Sequence, residues 1–281
     1  MAILALLAAF ADLPVRTANG RTYVQIKIQD TPGWWLVDTG ATHTVVSPRT
    51  AADWPRLTGH PAEADPYGLT AWAVPPVLRL GSRPVRLRKV AVLPRLAERF
   101  LSEDEVFVAG ILGWDVLSRN RWRLDPAHAR AAFAPSSSHP PADLLVRWPL
   151  RQHRGSPMVD LRHVGGARWS MLLDTGTEAL VVGMATARRS GWQPVARPVP
   201  GPRLVGLGRS AGSQQWRTRL AGPLGGIPRE FLVTERPPLP WVDGAVGTGF
   251  LEGRALLWDG PAGWWGLSSQ PPPKESVPAP G

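Results

Sequence analysis

The chain has 281 residues, of which 43% are apolar, and a formal net charge of +10. This length and composition exclude a disordered protein and leave room for two domains of ordinary size. The absence of cysteine excludes disulfides, zinc thiolate sites and cysteine catalysis. The positive charge comes mainly from arginines scattered singly among Pro, Gly and Ala. Biased composition explains this pattern better than nucleic-acid binding, so no nucleic-acid partner is expected.

Residues 2–11 are all apolar. The stretch is too short to span a bilayer, so we expect no stable membrane insertion. It has the length of a secretory signal core, and Ala9-Phe10-Ala11 has the small-x-small form of a cleavage site. The same residues also fit an apolar strand packed between the two halves of the protein. We favour the interpretation that residues 1–11 are a leader and that the protein is exported to the periplasm or the medium. A cytoplasmic location stays open.

The next segment predicts a β-hairpin. Asn19-Gly20 separates two short runs with strand character, and this dipeptide is the strongest short signal for a type I′ turn. Val24, Ile26 and Ile28 then alternate with polar residues, as in a half-buried strand.

A longer apolar run, from Trp34 to Val46, is interrupted by Asp38-Thr39-Gly40. Burying an ionisable carboxyl group between two strands is costly unless the group is hydrogen-bonded or used in chemistry. After this run, Ser47-Pro48 places a capping hydroxyl before a proline, which predicts a short helix to about Asp53.

Two stretches rich in Pro or Gly predict loops or hairpins that can move. The first, residues 60–76, contains Tyr67 and Trp72, and the second, residues 203–216, contains Gly206 and Gly208. The two aromatic residues are either ordinary surface-loop side chains or ligand contacts, and the sequence does not choose between these readings.

Proline also marks the boundaries of the chain's large units. Residues 134–142 form a linker rich in Pro and Ser, and residues 269–281 form a Pro-rich tail that we expect to be disordered. The predicted units are therefore residues 12–133 and 143–268. Because short apolar runs bounded by turns dominate both, the fold class is predicted to be all-β.

The two units resemble each other. The interrupted apolar run recurs as Leu172-Leu173-Asp174-Thr175-Gly176, and matching flanks give an internal repeat of about 135 residues. Downstream, Ile111-Leu112-Gly113 corresponds to Ala245-Val246-Gly247. A single Asp-Thr-Gly triplet occurs often by chance, but two copies in matching contexts indicate a shared architecture.

These doubled motifs resemble the bilobal aspartic proteases, and more closely the bacterial retropepsin-like members. The resemblance covers nearly the whole chain. It implies two pseudo-symmetric β-barrel lobes of retropepsin or pepsin type with the active site at their interface. It also implies an aspartic endopeptidase that acts as a monomer on polypeptides, because one chain carries both halves.

The resemblance assigns roles to named residues. Asp38 and Asp174 would form the catalytic pair and activate a water molecule, with no metal and no cofactor. Support of the active-site loops would come from the residues that follow each Asp, namely Thr39, Gly40, Ala41, Thr175, Gly176 and Thr177. The two loops predicted above would cover the substrate as flaps, through Tyr67, Trp72, Gly206 and Gly208.

Two departures from the pepsin pattern affect the expected acidity of the pair. Ala41 stands where pepsin-like enzymes place Ser, which removes one hydrogen-bond donor to the first carboxylate, whereas Thr177 keeps a hydroxyl. Glu178 adds a negative group that would raise the carboxyl pKa values if it faced inward.

Two other functions remain open. A non-catalytic peptide-binding module would keep this fold, although both triplets are intact. A polyanion-binding surface protein would fit the net charge. The six histidines fall singly, without the close pairs typical of metal sites, and no phosphate-binding loop is present.

Overall fold

Short strands joined by turns build most of the structure, a computed structural model. It describes residues 11–57, 71–94, 96–137, 139–193, 204–206, 209–211, 213–220 and 228–268. Within these residues, no helix has the length and apolar character needed to cross a membrane.

The strands are short and are numbered in chain order. Those of the first half are β1 Ala11–Leu13, β2 Val15–Ala18, β3 Arg21–Ile28, β4 Thr31–Val37, β5 Val45–Val46, β6 Ala71–Ala73, β7 Leu78–Leu80, β8 Arg83–Val85, β9 Val90–Val92, β10 Val108–Leu112, β11 Arg121–Asp125 and β12 Arg130–Ala134. Those of the second half are β13 Leu144–Pro149, β14 Arg151–His153, β15 Ser156–Arg162, β16 Arg168–Leu173, β17 Leu180–Gly183, β18 Leu204–Gly206, β19 Arg209–Ala211, β20 Ser213–Arg219, β21 Pro228–Thr234, β22 Gly244–Val246, β23 Leu256–Asp259 and β24 Trp264–Ser268.

The helices are few and short. The α-helices are α1 Leu96–Asp104, α2 Trp114–Leu117 and α3 Met184–Arg189, and two 3₁₀ turns span Pro126–His128 and Thr248–Leu251. The helix predicted from Ser47 to Asp53 is wrong. Consecutive turns occupy this segment, although the Ser47 hydroxyl does accept the Thr50 N–H at 3.1 Å. The capping interaction therefore forms, but the chain does not continue as a helix.

Two sheets with matching strand orders form the two lobes. In the first lobe, β9, β5, β10, β4 and β3 lie side by side, with β2 also paired to β3. In the second lobe, β21, β17, β22, β16, β15 and β14 follow in the same arrangement. In each lobe the strand that ends at an Asp runs parallel to a downstream strand, β10 beside β4 and β22 beside β16.

The lobes also share their opening hairpin. Asn19 and Gly20 join β2 to β3 with φ values of 47° and 70°, the left-handed pair that a type I′ turn needs. The predicted hairpin is confirmed. Arg154 and Gly155 join β14 to β15 with φ values of 51° and 77°.

A third sheet joins the lobes. Its six strands follow the order β1, β12, β11, β23, β24, β13, so each half of the chain supplies three. Across the central pairing of β11 with β23, Trp122 and Trp258 stack with ring centroids 5.9 Å apart. Both indoles are fully buried, and the apolar core is continuous from one lobe to the other. The predicted all-β, two-lobed fold is confirmed.

Candidate active site

Each Asp-Thr-Gly triplet begins where a central strand of its lobe ends. The Asp38 N–H donates to Leu112 O at 3.1 Å, and the Asp174 N–H donates to Val246 O at 3.0 Å. These bonds continue the parallel ladders of β4 with β10 and of β16 with β22. The start of each triplet is therefore tied to the sheet of its own lobe, which fixes where the carboxyl group emerges.

The glycine after each downstream strand lets that strand pass close beneath the Asp loop. A Cβ atom on Gly113 would lie 2.3 Å from the carbonyl carbon of His43, and one on Gly247 would lie 2.5 Å from Ala179 O. Any larger residue would push the loop away from the strand that supports it. This close approach is the physical reason for a glycine at both positions.

The two triplets meet face to face at the lobe interface. A Cβ atom on Gly40 would lie 2.6 Å from the Asp174 carboxyl carbon, and one on Gly176 would lie 2.5 Å from that of Asp38. Each loop thus presents a bare backbone to the carboxyl group of the other. The fold brings Asp38 and Asp174, which are far apart in the sequence, into one site.

A pair of threonines locks the two loops together. The Thr39 N–H donates to the Thr175 hydroxyl at 3.1 Å, and the Thr175 N–H donates to the Thr39 hydroxyl at 3.0 Å. Each hydroxyl also donates at 2.7 Å to a carbonyl of the opposite lobe, Leu173 O for Thr39 and Val37 O for Thr175. Both side chains are buried, so these bonds form away from competing water.

The carboxyl groups receive unequal backbone support. Asp38 Oδ1 accepts the N–H groups of Gly40 at 2.8 Å and Ala41 at 3.1 Å, and Asp174 Oδ1 accepts that of Gly176 at 3.0 Å. The Thr177 hydroxyl accepts the Ala179 N–H at 3.1 Å.

This difference sets the order in which the pair ionises. Burial raises the pKa of Asp38, against hydrogen bonds from Asp174, Ala41 and Gly40 that lower it. Burial, the charge of Asp38 and the hydrogen bond to Asp38 together raise the pKa of Asp174 well above its ordinary value. The pair titrates as one unit. Because Asp38 accepts two backbone N–H groups and Asp174 accepts one, we expect the shared proton to lie mainly on Asp174.

A carboxylate beside a carboxylic acid can act as base and acid at the same time. The ionised member can accept a proton from a bound water molecule, while the protonated member donates to an oxygen that gains negative charge. Neither role needs a covalent intermediate. Within the described residues, no three His, Asp or Glu side chains are grouped as a metal site would require.

Of the four predicted flap residues, the structure describes Trp72 and Gly206. Tyr67 and Gly208 lie outside the described residues, and Gly206 is the last residue of β18. Trp72 lies in β6 with only 5% of its surface exposed. The centroids of the Trp72 and His43 rings are 5.4 Å apart. The Lys89 ammonium lies 3.9 Å from the centroid of the Trp72 ring. In this position Trp72 packs against its own lobe.

Glu178 does not add its charge to the pair in the way the sequence suggested. The Glu178 side chain is exposed and packs over Gly20. A Cβ atom added to Gly20 would lie 2.7 Å from the Glu178 Cβ. The site instead contains a cation that sequence reasoning missed. The Arg21 Nε donates to Gly176 O at 3.2 Å, and the Arg21 charge lowers the pKa values of both Asp38 and Asp174.

Comparisons with known proteins agree with this geometry. Residues 24–116 match the family model described as aspartyl protease. No curated protein sequence matches the chain significantly. The matched segment contains the first triplet and the strand beneath it.

Solved structures extend the likeness to the whole fold. The chain is similar to Basic 7S globulin from soybean, with a TM-score of 0.53, 14% identity, and coverage of 93% of this chain and 96% of that one. It is also similar to the aspartic proteinase from Irpex lacteus, with a TM-score of 0.50, 14% identity, and coverage of 92% and 97%. At this identity the likeness shows the fold, which is pepsin-like. The resemblance to aspartic proteases drawn from the sequence is confirmed.

The threonine pair gives a testable prediction. Thr39→Val should leave Leu173 O and the Thr175 N–H without their partner, at a cost of about 1–3 kcal/mol in the free energy of unfolding for each buried group. Urea unfolding measures this loss. Thr39→Ser keeps the hydroxyl and should lose much less, and a larger loss in Thr39→Ser than in Thr39→Val would mean that methyl packing, not the hydrogen bonds, joins the loops.

Proposed function

We propose that this protein is an aspartic endopeptidase that hydrolyses peptide bonds with a water molecule activated between Asp38 and Asp174. The observation that carries the proposal is the reciprocal packing of the two triplets, in which each glycine lies directly against the carboxyl group of the other loop. Such contact desolvates both carboxyl groups and makes them share one proton, which is the state that acid–base hydrolysis needs.

The unequal backbone hydrogen bonds to the two carboxyl groups assign the two roles in this mechanism. Asp38, the more readily ionised member, takes a proton from the water as that water attacks the peptide carbonyl. Asp174, which holds the proton, donates it to the developing oxyanion. Collapse of the tetrahedral intermediate then needs a proton on the leaving nitrogen, and Asp38 holds the one taken from the water. Asp38 gives this proton to the nitrogen as the C–N bond breaks, while a hydroxyl of the intermediate returns its proton to Asp174 and becomes the carbonyl oxygen of the new carboxyl group. Asp38 is then again ionised and Asp174 again protonated.

The partner of the site is proposed to be a polypeptide, and export is proposed from residues 2–11. A non-catalytic peptide-binding module is the second candidate, since one solved structure with this fold is named as a globulin. Incubation of the protein with a peptide library, with and without pepstatin, separates the two. Cleavage that pepstatin stops supports the peptidase, whereas peptide capture without cleavage supports the module.

Removal of either carboxyl group should abolish hydrolysis. Asp38→Asn removes the base and Asp174→Asn removes the acid, so kcat should fall in both to the limit of detection, while the fold persists. Asp53→Asn, at an exposed carboxyl group, is the matched control and should keep wild-type kcat. Hydrolysis at more than a few per cent of the wild-type rate in either active-site variant would exclude the shared-proton mechanism.

Replacement of Asp174 by Asn should also change the stability of the fold. Because the pKa of Asp174 is raised by folding, its stabilising effect is present below the pKa of the unfolded chain, about 3.9, and is lost as the pH rises through the folded value. Asp174→Asn has no such titration and should therefore be more stable than the wild type at neutral pH. Thermal unfolding at pH 4 and pH 7 provides this measurement.

Hydrolysis should follow a bell-shaped pH profile in mildly acidic solution. Below the acid limb Asp38 is protonated and cannot act as base, and above the alkaline limb Asp174 is ionised and cannot act as acid. Ala41→Ser adds a hydroxyl donor beside the Asp38 carboxylate, which should lower the pKa of Asp38 and move the acid limb downward. An acid limb at the same pH in both proteins would show that residue 41 does not control this titration.

The protein should act as a monomer, because one chain supplies both carboxyl groups. Specific activity should stay constant on dilution, and light scattering during turnover should give the mass of one chain. Activity that falls with dilution would instead mean that a second copy completes the site.

A further inference from the structure

Arg21 connects the opening hairpin of the first lobe to the Asp loop of the second. It is the first residue of β3, directly after the Asn19-Gly20 turn. Its Nε donates to Gly176 O at 3.2 Å, inside the second triplet. The Arg21 side chain is 16% exposed, so the contact is largely protected from water.

Helix α1 holds this guanidinium group in place. The Arg21 Nη1 donates to both Asp104 oxygens, at 2.8 and 3.0 Å, and to Glu103 Oε2 at 2.9 Å. The guanidinium also lies 5.4 Å from the centre of the Phe100 ring, on the same helix. The arginine is therefore fixed at one end by the first lobe and presents its other end to the second.

Asp104 is itself fully enclosed, with no exposed side-chain surface. The Tyr23 hydroxyl and the Asn19 side-chain amide, at 2.8 Å, both donate to its carboxylate. Burial opposes ionisation of Asp104, but the hydrogen bonds from Tyr23, Arg21 and Asn19 outweigh it and lower its pKa. Burial and the Asp104 carboxylate raise the pKa of Tyr23, so this phenol stays neutral.

Arg21 is the cation of this cluster. Burial opposes its charge, but the hydrogen bond and the charge of Asp104 raise its pKa, so it stays protonated at every working pH. The ionisable groups that face it are Glu103 and Asp104 on α1 and Tyr23 on β3. On its other side lie the carboxyl groups of the catalytic pair proposed above.

The second lobe places no cation at the corresponding position. Ser156 is the first residue of β15, directly after the Arg154-Gly155 turn, and its buried hydroxyl has no hydrogen-bond partner. A serine can supply neither a charge nor a guanidinium fork. The arrangement of Arg21 with α1 therefore acts on the pair from one side.

We propose that Arg21 is a positioning residue of the catalytic pair. Its guanidinium group, anchored by Asp104 and Glu103, holds the second Asp-Thr-Gly loop through Gly176 O and places one buried positive charge beside both carboxyl groups. This inference rests on the proposed peptidase function for its kinetic readout. Its second readout, the titration of the carboxyl groups, does not require turnover.

Removal of the cation should move the titration of the pair upward. An adjacent cation lowers a carboxyl pKa by roughly 1–3 units, and because Arg21 contacts the loop backbone we expect the low end, about one unit. In Arg21→Met the acid limb of kcat/KM should therefore rise by about one pH unit, which gives about a tenfold loss at a pH below the limb. Carbon-13 NMR of Asp carboxyl groups should show the same upward shift.

Arg21→Lys separates charge from geometry. Lysine keeps the positive charge but lacks the planar fork that bonds Gly176 O and the α1 carboxylates together. Its acid limb should stay within a few tenths of a unit of the wild type while kcat falls severalfold. A merely structural role would lower the thermal midpoint without moving either limb.

Two further variants make the result decisive. Arg168→Met removes an exposed arginine that pairs with Asp160 at the far end of β16, and it should leave the titration unchanged. The double variant Arg21→Met/Asp104→Asn removes the cation together with its buried anion. It provides the same titration measurement if the single variant does not fold.

The outcomes are distinguishable. Carboxyl titrations in Arg21→Met, or in the double variant, that coincide with those of the wild type overturn the proposal. A wild-type protein that cleaves no peptide refutes the proposed function, while the NMR titration still decides the role of Arg21.

Discussion

The structure depends on one constraint, which is that two carboxyl groups from distant parts of the chain must share a small desolvated space without being driven apart. Electrostatic repulsion between two ionised groups would separate the lobes, and the shared proton removes that repulsion. The buried threonine bonds then fix the separation of the loops from both sides. The remaining architecture serves to deliver these two loops to one place.

Parallel strands supply that delivery. Each Asp follows a central strand that is hydrogen-bonded to a neighbouring parallel strand. The direction in which the chain leaves the sheet is therefore set by the strand pairing and not by a flexible loop. Gly113 and Gly247 allow the neighbouring strand to continue directly beneath. The six-stranded sheet, with Trp122 stacked on Trp258, then makes the two lobes one body. Loop position is thereby coupled to the core packing of both halves.

The sequence predicted those features that local chemistry encodes. The interrupted apolar runs identified both Asp loops, and Asn19-Gly20 identified its turn, because each pattern has few structural solutions. The Ser47 prediction failed since a cap alone does not extend a helix. The contacts of Arg21 could not be read from the sequence, because its partners lie some eighty residues away on α1 and in the other lobe. Long-range pairing of this kind leaves no local signal.

The two halves are nearly equivalent in backbone and unequal in charge, and the inequality has a chemical consequence. A perfectly symmetric pair would place its proton on either carboxyl group with the same free energy, so the roles of acid and base would exchange freely. Here two backbone N–H groups stabilise the Asp38 carboxylate against one for Asp174. Arg21 lowers the pKa values of both, which moves the titration of the pair to lower pH without erasing the difference. In the proposed mechanism the backbone therefore selects which carboxyl group is the base, and the buried cation adjusts the pH at which that base is available.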